Sequence, residues 1–264
     1  MKMSWEDFEN DCTEYLNTNF GKYANFIHEG GSNSTLSDIE VIRKRGGNFY
    51  IEAKLCPAQC GQFVLLPDIT YSRFVYSLKN TTPINSSAKK IMGYMNQYFE
   101  DFKEAGTAGK EILMDNGQEI FSEWITGYYK NKGTKYFITN NYILLPIEEF
   151  SDCFNVTADY RVKRSGSADV GKRNMPNVIS YINTHDYLIE NTRKDKSKLF
   201  VKSSKSLHNR RFLLEGYEYM FSIRGSEYEI RKLSNTFNAN VIFSIDLKPN
   251  RVGITQEEFI QALI

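Results

Sequence analysis

The chain has 264 residues, and 33 basic side chains against 32 acidic ones give it a formal net charge of +1 at pH 7. Its 41% hydrophobic and 25% charged residues are typical of a globular protein with one sizeable core. No run approaches the roughly 18 apolar residues of a membrane span, and the N-terminus lacks a signal-peptide pattern. Four cysteines are too few for a disulfide framework. We therefore expect a cytoplasmic protein with reduced cysteines and no membrane partner.

The first predicted element is a helix near the start of the chain. Ser4 is a suitable N-cap residue, and Asp7 stands three positions later, close to a capping box. Glu9 lies beside a stripe that we expect to be buried, because its apolar residues recur at helical spacing: Trp5, Phe8, Cys12, Tyr15 and Leu16.

Two strands joined by a tight turn are predicted next. Gly46-Gly47-Asn48 forms the turn, since these residue types accept positive φ. A two-residue loop at Gly46-Gly47 would set apolar residues against charged ones across the hairpin. A three-residue loop, with Arg45 opposite Phe49, gathers the apolar residues on one face instead, and we predict this loop. The apolar residues that alternate at a period of two are Ile39, Val41, Ile51, Ala53 and Leu55.

The opposite face of this hairpin would carry charges that stability does not explain. It would gather Asp38, Glu40, Glu52 and Lys54. Carboxylates held close together cost free energy unless a cation or a raised pKa relieves them. Mg²⁺ accepts one or two carboxylates and keeps several waters, and Lys54 is placed to orient and polarise one such water. A solvated hairpin face with alternating charges is the alternative.

This pattern resembles the signature of the PD-(D/E)XK nucleases, here Ser37-Asp38 and Glu52-Ala53-Lys54. The proline of the signature is absent, at a position that tolerates change in the family. Glu-x-Lys alone is not specific. The specificity comes from an Asp 14 residues before the Glu, from the apolar strand context and from the Gly-rich approach Gly30-Gly31-Ser32.

The resemblance implies an α/β (α+β) fold, in which helices flank a restriction-endonuclease-like mixed sheet. It implies that Asp38, Glu52 and Lys54 are catalytic, with Lys54 activating a water. Asp38, Glu52 and the Ala53 carbonyl would bind Mg²⁺. Glu9 follows a Phe, like the metal-site Glu on the first helix of many family members, with Glu6 and Glu14 as rivals.

The segment after Lys54 contains Cys56 and Cys60, but no second Cys or His pair stands at zinc-site spacing. We therefore interpret both as small buried residues. Gln59 and Gln62 follow the lysine closely, as in some type II restriction endonucleases. The resemblance implies that they reach DNA, whereas surface-loop glutamines are the alternative.

Two helices and a hairpin complete the predicted core. Asn85 caps a helix that runs to about Glu104, and another helix covers about Gln118 to Lys130. Two short strands, Lys135 to Thr139 and Tyr142 to Leu145, surround an Asn-Asn turn. This order of elements suits a mixed sheet with helices on both faces.

A basic segment runs from Arg161 to Arg211, with 13 Lys or Arg against 4 Asp or Glu. Such an excess indicates a face that meets a polyanion, and an exposed basic lobe without a partner is the alternative. The apolar runs between Arg211 and Leu247 predict a strand-rich lobe. The capping box Thr255-x-x-Glu258 opens a short C-terminal helix through Leu263. We expect one nuclease domain, with a catalytic core at about 1–150 and a basic DNA-recognition lobe at about 151–264. The predicted DNA contacts there are Arg161, Lys163, Arg164, Ser165, Ser167, Lys172 and Arg173.

The sequence thus predicts a Mg²⁺-dependent endonuclease that cuts duplex DNA at a specific sequence, most like a type II restriction endonuclease. Its partner would be double-stranded DNA, and a homodimer stays open. A junction-resolving or repair nuclease would share the core but have no large base-reading lobe. A non-catalytic nucleic-acid-binding protein would have no use for Glu52 and Lys54 together.

Overall fold

A computed structural model describes residues 4–29, 36–164 and 166–264. The helices in this part of the chain are α1 (Trp5–Phe20), α2 (Ser86–Gln97), α3 (Phe99–Lys103), α4 (Gly117–Asn131), α5 (Phe150–Cys153), α6 (Met175–Thr184) and α7 (Gln256–Leu263). The first eight strands are β1 (Ala24–His28), β2 (Ile39–Arg43), β3 (Phe49–Lys54), β4 (Ala58–Asp68), β5 (Arg73–Tyr76), β6 (Lys110–Glu111), β7 (Thr134–Thr139) and β8 (Ile143–Pro146). The later strands are β9 (Phe154–Arg164), β10 (Ser167–Asp169), β11 (Ile189–Asp195), β12 (Lys198–Ser203), β13 (Arg211–Leu214), β14 (Tyr217–Arg224), β15 (Glu227–Leu233) and β16 (Phe237–Leu247).

Tertiary contacts divide the chain into two compact units. The first comprises residues 1–161 and 239–264, and the second comprises residues 162–238. The predicted division at about residue 150 is therefore displaced, because β9 extends the first unit to residue 161 and the C-terminal segment returns to it. No helix in the described ranges is long and apolar enough to cross a membrane.

The first unit contains a mixed sheet in the order β1-β2-β3-β7-β8, in which β3 and β7 are parallel and the other pairs are antiparallel. One face of this sheet packs against α1 and α7. The opposite face meets α4, where Tyr129 lies against Phe137 of β7. The predicted α/β fold, with a mixed sheet between helices, is confirmed. The core on the α1 side includes Phe8, Cys12, Leu16, Ile39, Val41, Ile51, Ala53 and Phe259.

The hairpin of β2 and β3 differs from the prediction in its loop but not in its faces. Val41, not Arg45, lies opposite Phe49. The connection between β2 and β3 is longer than predicted, because β2 also pairs with a third strand, β1, as far as Arg43. The Nε of Arg43 donates to the Gly47 carbonyl at 2.8 Å. The shift is an even number of residues, so each side chain keeps its predicted face. The Gly-rich approach at Gly30-Gly31-Ser32 lies outside the described residues.

A second sheet in the first unit has the order β5-β4-β16-β9-β6. Strand β4 contains a bulge, because Gln62 pairs with Ile242 and Gln59 with Ser244, so that Cys60 and Gly61 together oppose Phe243. Gly61 has φ +94°, in the left-handed region that favours glycine. The bulge begins only a few residues after Lys54.

The second unit is built on a sheet in the order β11-β12-β15-β14-β13, with β10 paired to β15. Helix α6 covers one face of this sheet through Val178 and Ile182, which pack with Val201 and Phe221. The strand-rich character predicted for this region is confirmed.

Local signals predicted several element boundaries correctly. Ser4 and Asn85 cap α1 and α2 by accepting backbone hydrogen bonds, and Thr255 forms the predicted capping box at α7. The helix expected to run to about Glu104 is interrupted at Tyr98, so α3 is separate. Strands β7 and β8 form the predicted hairpin.

The bulge in β4 leads to a stability prediction. A Cβ at Gly61 would lie 2.9 Å from a ring carbon of Trp124, at a φ that an L side chain rarely adopts. Gly61→Ala should therefore lower the free energy of unfolding by about 1–3 kcal/mol. Gly93→Ala, in α2 with open space around it, is the control and should raise it by about 0.5–1 kcal/mol. Urea unfolding of both variants tests this, and equal effects would contradict it.

Candidate active site

Two carboxylates and an ammonium meet where β3 ends. Lys54 Nζ lies 2.5 Å from Glu52 Oε1 and 3.6 Å from Asp38 Oδ2. Asp38 Oδ2 also accepts the Ala53 N–H at 2.9 Å, which anchors the first strand's carboxylate to the second strand. The structure therefore brings together the three residues predicted to be catalytic. Glu40 shares their face but lies apart, where it accepts a hydrogen bond from Asn48 at 3.1 Å.

Burial determines the charge states of this group. Burial and the neighbouring Glu52 charge raise the pKa of Asp38 to about 7, against the opposing effect of Lys54. Burial alone would lower the pKa of Lys54, but the charges of Glu52 and Asp38 outweigh it and raise that pKa. Lys54 is consequently held as an ammonium, while Asp38 exchanges its proton near neutrality.

Glu52 has a further partner that the sequence did not reveal. The Tyr129 hydroxyl donates to Glu52 Oε1 at 2.9 Å. Burial raises the pKa of Tyr129 well above its ordinary value, so this hydroxyl remains a donor at neutral pH. Glu52 Oε2 is buried and has no hydrogen-bond partner among the described residues. An acceptor left open in this way needs a donor or a cation.

Glu9 of α1 is buried and contacts His28 Nε2 at 3.2 Å. Burial raises the pKa of Glu9. His28 and Lys54 lower this pKa, whereas the charge of Glu52 raises it. The predicted fourth metal-site residue therefore lies within electrostatic range of the site but has a protein partner of its own. His28 was not predicted, because an isolated histidine in a strand has no distinguishing sequence signal.

The oxygen atoms of this site suit a hard divalent cation that needs few protein ligands. Among the described residues, no group of three or more His, Cys, Asp or Glu side chains is arranged to hold a metal. Mg²⁺ is bound by one or two carboxylates and several waters, so it does not require such a group. The candidate oxygen ligands would be Asp38, the open Oε2 of Glu52 and the Ala53 carbonyl, which accepts from Lys54 Nζ at 3.2 Å.

Gln59 and Gln62 are exposed on β4, the strand that follows β3 along the chain. The bulge brings both to one face, since Gln59 Nε2 approaches Gln62 Oε1 at 3.4 Å. Regular alternation would have placed them on opposite faces. Cys56 and Cys60 are buried, as expected.

The other predicted DNA contacts have different surroundings. Arg161, in the first unit, has a buried Nε without a partner in the described part of the chain. In the second unit Lys163, Lys172 and Arg173 are exposed and make no ion pair with any described residue. Arg164 pairs with Glu218. Ser167 is exposed and its Oγ accepts from Arg231 at 3.2 Å, while Ser165 lies outside the described residues.

Carboxylates from later strands neutralise part of the predicted basic surface. In the second unit Glu218 contacts Arg164 and Arg211, and Glu227 contacts Arg193 at 2.7 Å. The charge count from 161 to 211 missed these partners because they follow in β14 and β15.

The mixed sheet, its flanking helices and the Asp-Glu-Lys group on one hairpin define a restriction-endonuclease-like fold. A scan of protein-family models and a search of curated proteins each found no match. A search of solved structures found HhaI endonuclease in complex with DNA, with a TM-score of 0.77 and 36% sequence identity over 99% of both chains. The chain therefore belongs to the family of HhaI endonuclease, a type II restriction enzyme.

The raised pKa of Asp38 predicts how stability changes with pH when metal is chelated. An unfolded Asp titrates near pH 3.9, so the folded protein binds the extra proton between that pH and about 7. The free energy of unfolding should fall as pH rises through this window, by at most about 1.4 kcal/mol per pH unit from this group. Asp38→Asn should lack this contribution, so its stability relative to wild type should increase from pH 5 to 7. Urea unfolding in EDTA measures the difference, and a difference independent of pH would contradict the prediction.

Proposed function

We propose that this chain is a Mg²⁺-dependent endonuclease that hydrolyses phosphodiester bonds of duplex DNA at a specific sequence. The observation that carries the proposal is the contact of Lys54 with both Asp38 and Glu52 at the end of β3. The relationship to HhaI endonuclease, over nearly the whole of both chains, supports DNA as the substrate.

In this proposal the site is of PD-(D/E)XK type. Asp38, Glu52 and the Ala53 carbonyl hold the cation, and Glu9 adds negative charge nearby. When bound, Mg²⁺ lowers the pKa of a coordinated water and stabilises charge that develops on the phosphate. Lys54, held protonated by its two carboxylates, orients the attacking water and stabilises negative charge, and it does not serve as a base.

The DNA contacts are proposed in two places. Gln59 and Gln62 present exposed amide groups on one face of the strand that follows Lys54 along the chain, and such groups hydrogen-bond base edges or phosphates. Arg161, whose buried Nε has no partner among the described residues, is proposed to contact a phosphate or base through its guanidinium group. In the second unit, the exposed Lys163, Lys172 and Arg173 are proposed to neutralise phosphates.

The activity is tested with plasmid DNA, incubated with Mg²⁺ or with excess EDTA, followed by sequencing of the ends. The proposal expects Mg²⁺-dependent cleavage with one sequence common to all ends. Cleavage without any preferred sequence would favour a repair nuclease. Binding without cleavage under any divalent cation would favour a non-catalytic DNA-binding protein.

The proposed chemistry predicts the effect of three substitutions. Asp38→Ala, Glu52→Ala and Lys54→Ala should each lower the cleavage rate by at least about 100-fold, because each removes transition-state stabilisation. DNA affinity in EDTA should change little. Glu40→Ala removes a carboxylate from the same face outside the site, and its rate should stay near wild type. Single-turnover cleavage measures all four, and full activity of Glu52→Ala would refute the assignment.

The proposed backbone contacts predict a change in salt dependence. Lys172→Ala with Arg173→Ala should flatten the log–log dependence of DNA affinity on salt by about one to two units, since each phosphate contact contributes about 0.9. Arg193→Ala with Arg211→Ala removes the same charge from side chains already paired with Glu227 and Glu218. This control should flatten the slope less. Equal flattening would show that net charge, not contact, is responsible.

A further inference from the structure

A tyrosine on α4 makes the two oxygens of Glu52 unequal. Tyr129 is 3% exposed, and its hydroxyl donates to Oε1 at 2.9 Å. Lys54 Nζ contacts the same oxygen at 2.5 Å. Oε2 is buried and has no hydrogen-bond partner within the described part of the chain. One oxygen is therefore saturated by two donors while the other is open.

The ring of Tyr129 is held by the same sheet that carries Glu52. Glu52 pairs with Phe137 on the parallel strand β7. Tyr129 packs edge-on against Phe137, with ring centroids 5.2 Å apart and an interplanar angle of 79°. Tyr128 packs edge-on against Tyr129, with ring centroids 5.0 Å apart and an interplanar angle of 81°. These contacts fix the ring, and so they fix the position from which the hydroxyl donates.

We propose that Tyr129 is a positioning residue for metal binding, which orients the Glu52 carboxylate through Oε1 and leaves Oε2 to a divalent cation. The inference rests on the proposed function, and it adds a residue that acts through Glu52. A carboxylate without this donor would rotate about its terminal torsion and divide its oxygens between Lys54 and the cation. Loss of such an outer-shell donor lowers metal affinity by about 10- to 100-fold.

The test uses Tyr129→Phe, which removes the hydroxyl and keeps the ring on Phe137. Ca²⁺ is titrated calorimetrically into the protein bound to duplex DNA, and cleavage is measured over a range of Mg²⁺ concentrations. We expect the Ca²⁺ dissociation constant and the Mg²⁺ concentration for half-maximal rate to rise about 10- to 100-fold. The rate at saturating Mg²⁺ should fall less. DNA affinity in EDTA should equal that of wild type.

Tyr128→Phe is the matched control. It removes a hydroxyl from the neighbouring residue, whose ring stacks on Trp124 at 5.2 Å. It should leave the Ca²⁺ affinity and the Mg²⁺ dependence at wild-type values. If Tyr128→Phe reproduces the loss seen in Tyr129→Phe, the effect belongs to the helix surface and the proposal is wrong.

Two further measurements separate positioning from packing. In a Glu52→Ala background, Tyr129→Phe should lower Ca²⁺ affinity no further, because its effect acts through Glu52. Tyr129→Leu also loses the ring contacts, so its melting temperature should fall below that of Tyr129→Phe while its Ca²⁺ affinity matches. Ca²⁺ affinity that follows melting temperature across the two variants would show a structural role and overturn the proposal.

The outcomes also separate this inference from the proposed function. A wild-type protein that neither binds Ca²⁺ nor cleaves with Mg²⁺ would refute both. A wild-type protein that does both, with a Tyr129→Phe variant of equal Ca²⁺ affinity, would refute only the role of Tyr129.

Discussion

The contact between the Lys54 ammonium and the Glu52 carboxylate, at 2.5 Å in a buried setting, is the constraint on which the site depends. Taking these charges and that of Asp38 out of water costs several kcal/mol per ion, and one ammonium cannot neutralise two carboxylates. The chain offsets part of this cost with the Ala53 N–H and the Tyr129 hydroxyl. Apolar residues of similar volume would stabilise the sheet at least as well. The arrangement is therefore better explained by chemistry than by stability.

The position of these charges follows from the apolar pattern on the other face of the strand. Ile51 and Ala53 are buried in the core that includes α1, so Glu52 must point toward α4. A slip of one residue in β3 would exchange these faces and bury the apolar residues on the wrong side. The parallel neighbour β7 then places Phe137 beside Glu52 and gives Tyr129 its packing surface.

This dependence explains which parts of the site could be predicted from sequence. Alternation with a period of two predicted the shared face of Asp38, Glu52 and Lys54. The predicted loop was four residues too short, and because four is an even number, each side chain still lies on its predicted face. The loop itself depends on pairing between β1 and β2, which no turn signal encodes. The role of Tyr129 depends on the register of β7 against β3, a non-local contact. Helical periodicity marks a buried side of α4 but does not say which aromatic residue reaches Glu52.

Charge along the sequence and charge available at the surface are likewise different quantities in residues 162–238. Strands β14 and β15 contribute carboxylates that pair with arginines of the earlier basic segment. A phosphate must compete with the resident carboxylate for the charge of such an arginine. Exposed cations without an ion pair to any described residue, such as Lys172, Arg173, Lys194 and Lys196, face no such competition. A polyanion would therefore meet fewer uncompeted cations than the sequence contains. Besides Lys163 in β9, four of them lie in or beside the loop before α6 and the turn between β11 and β12.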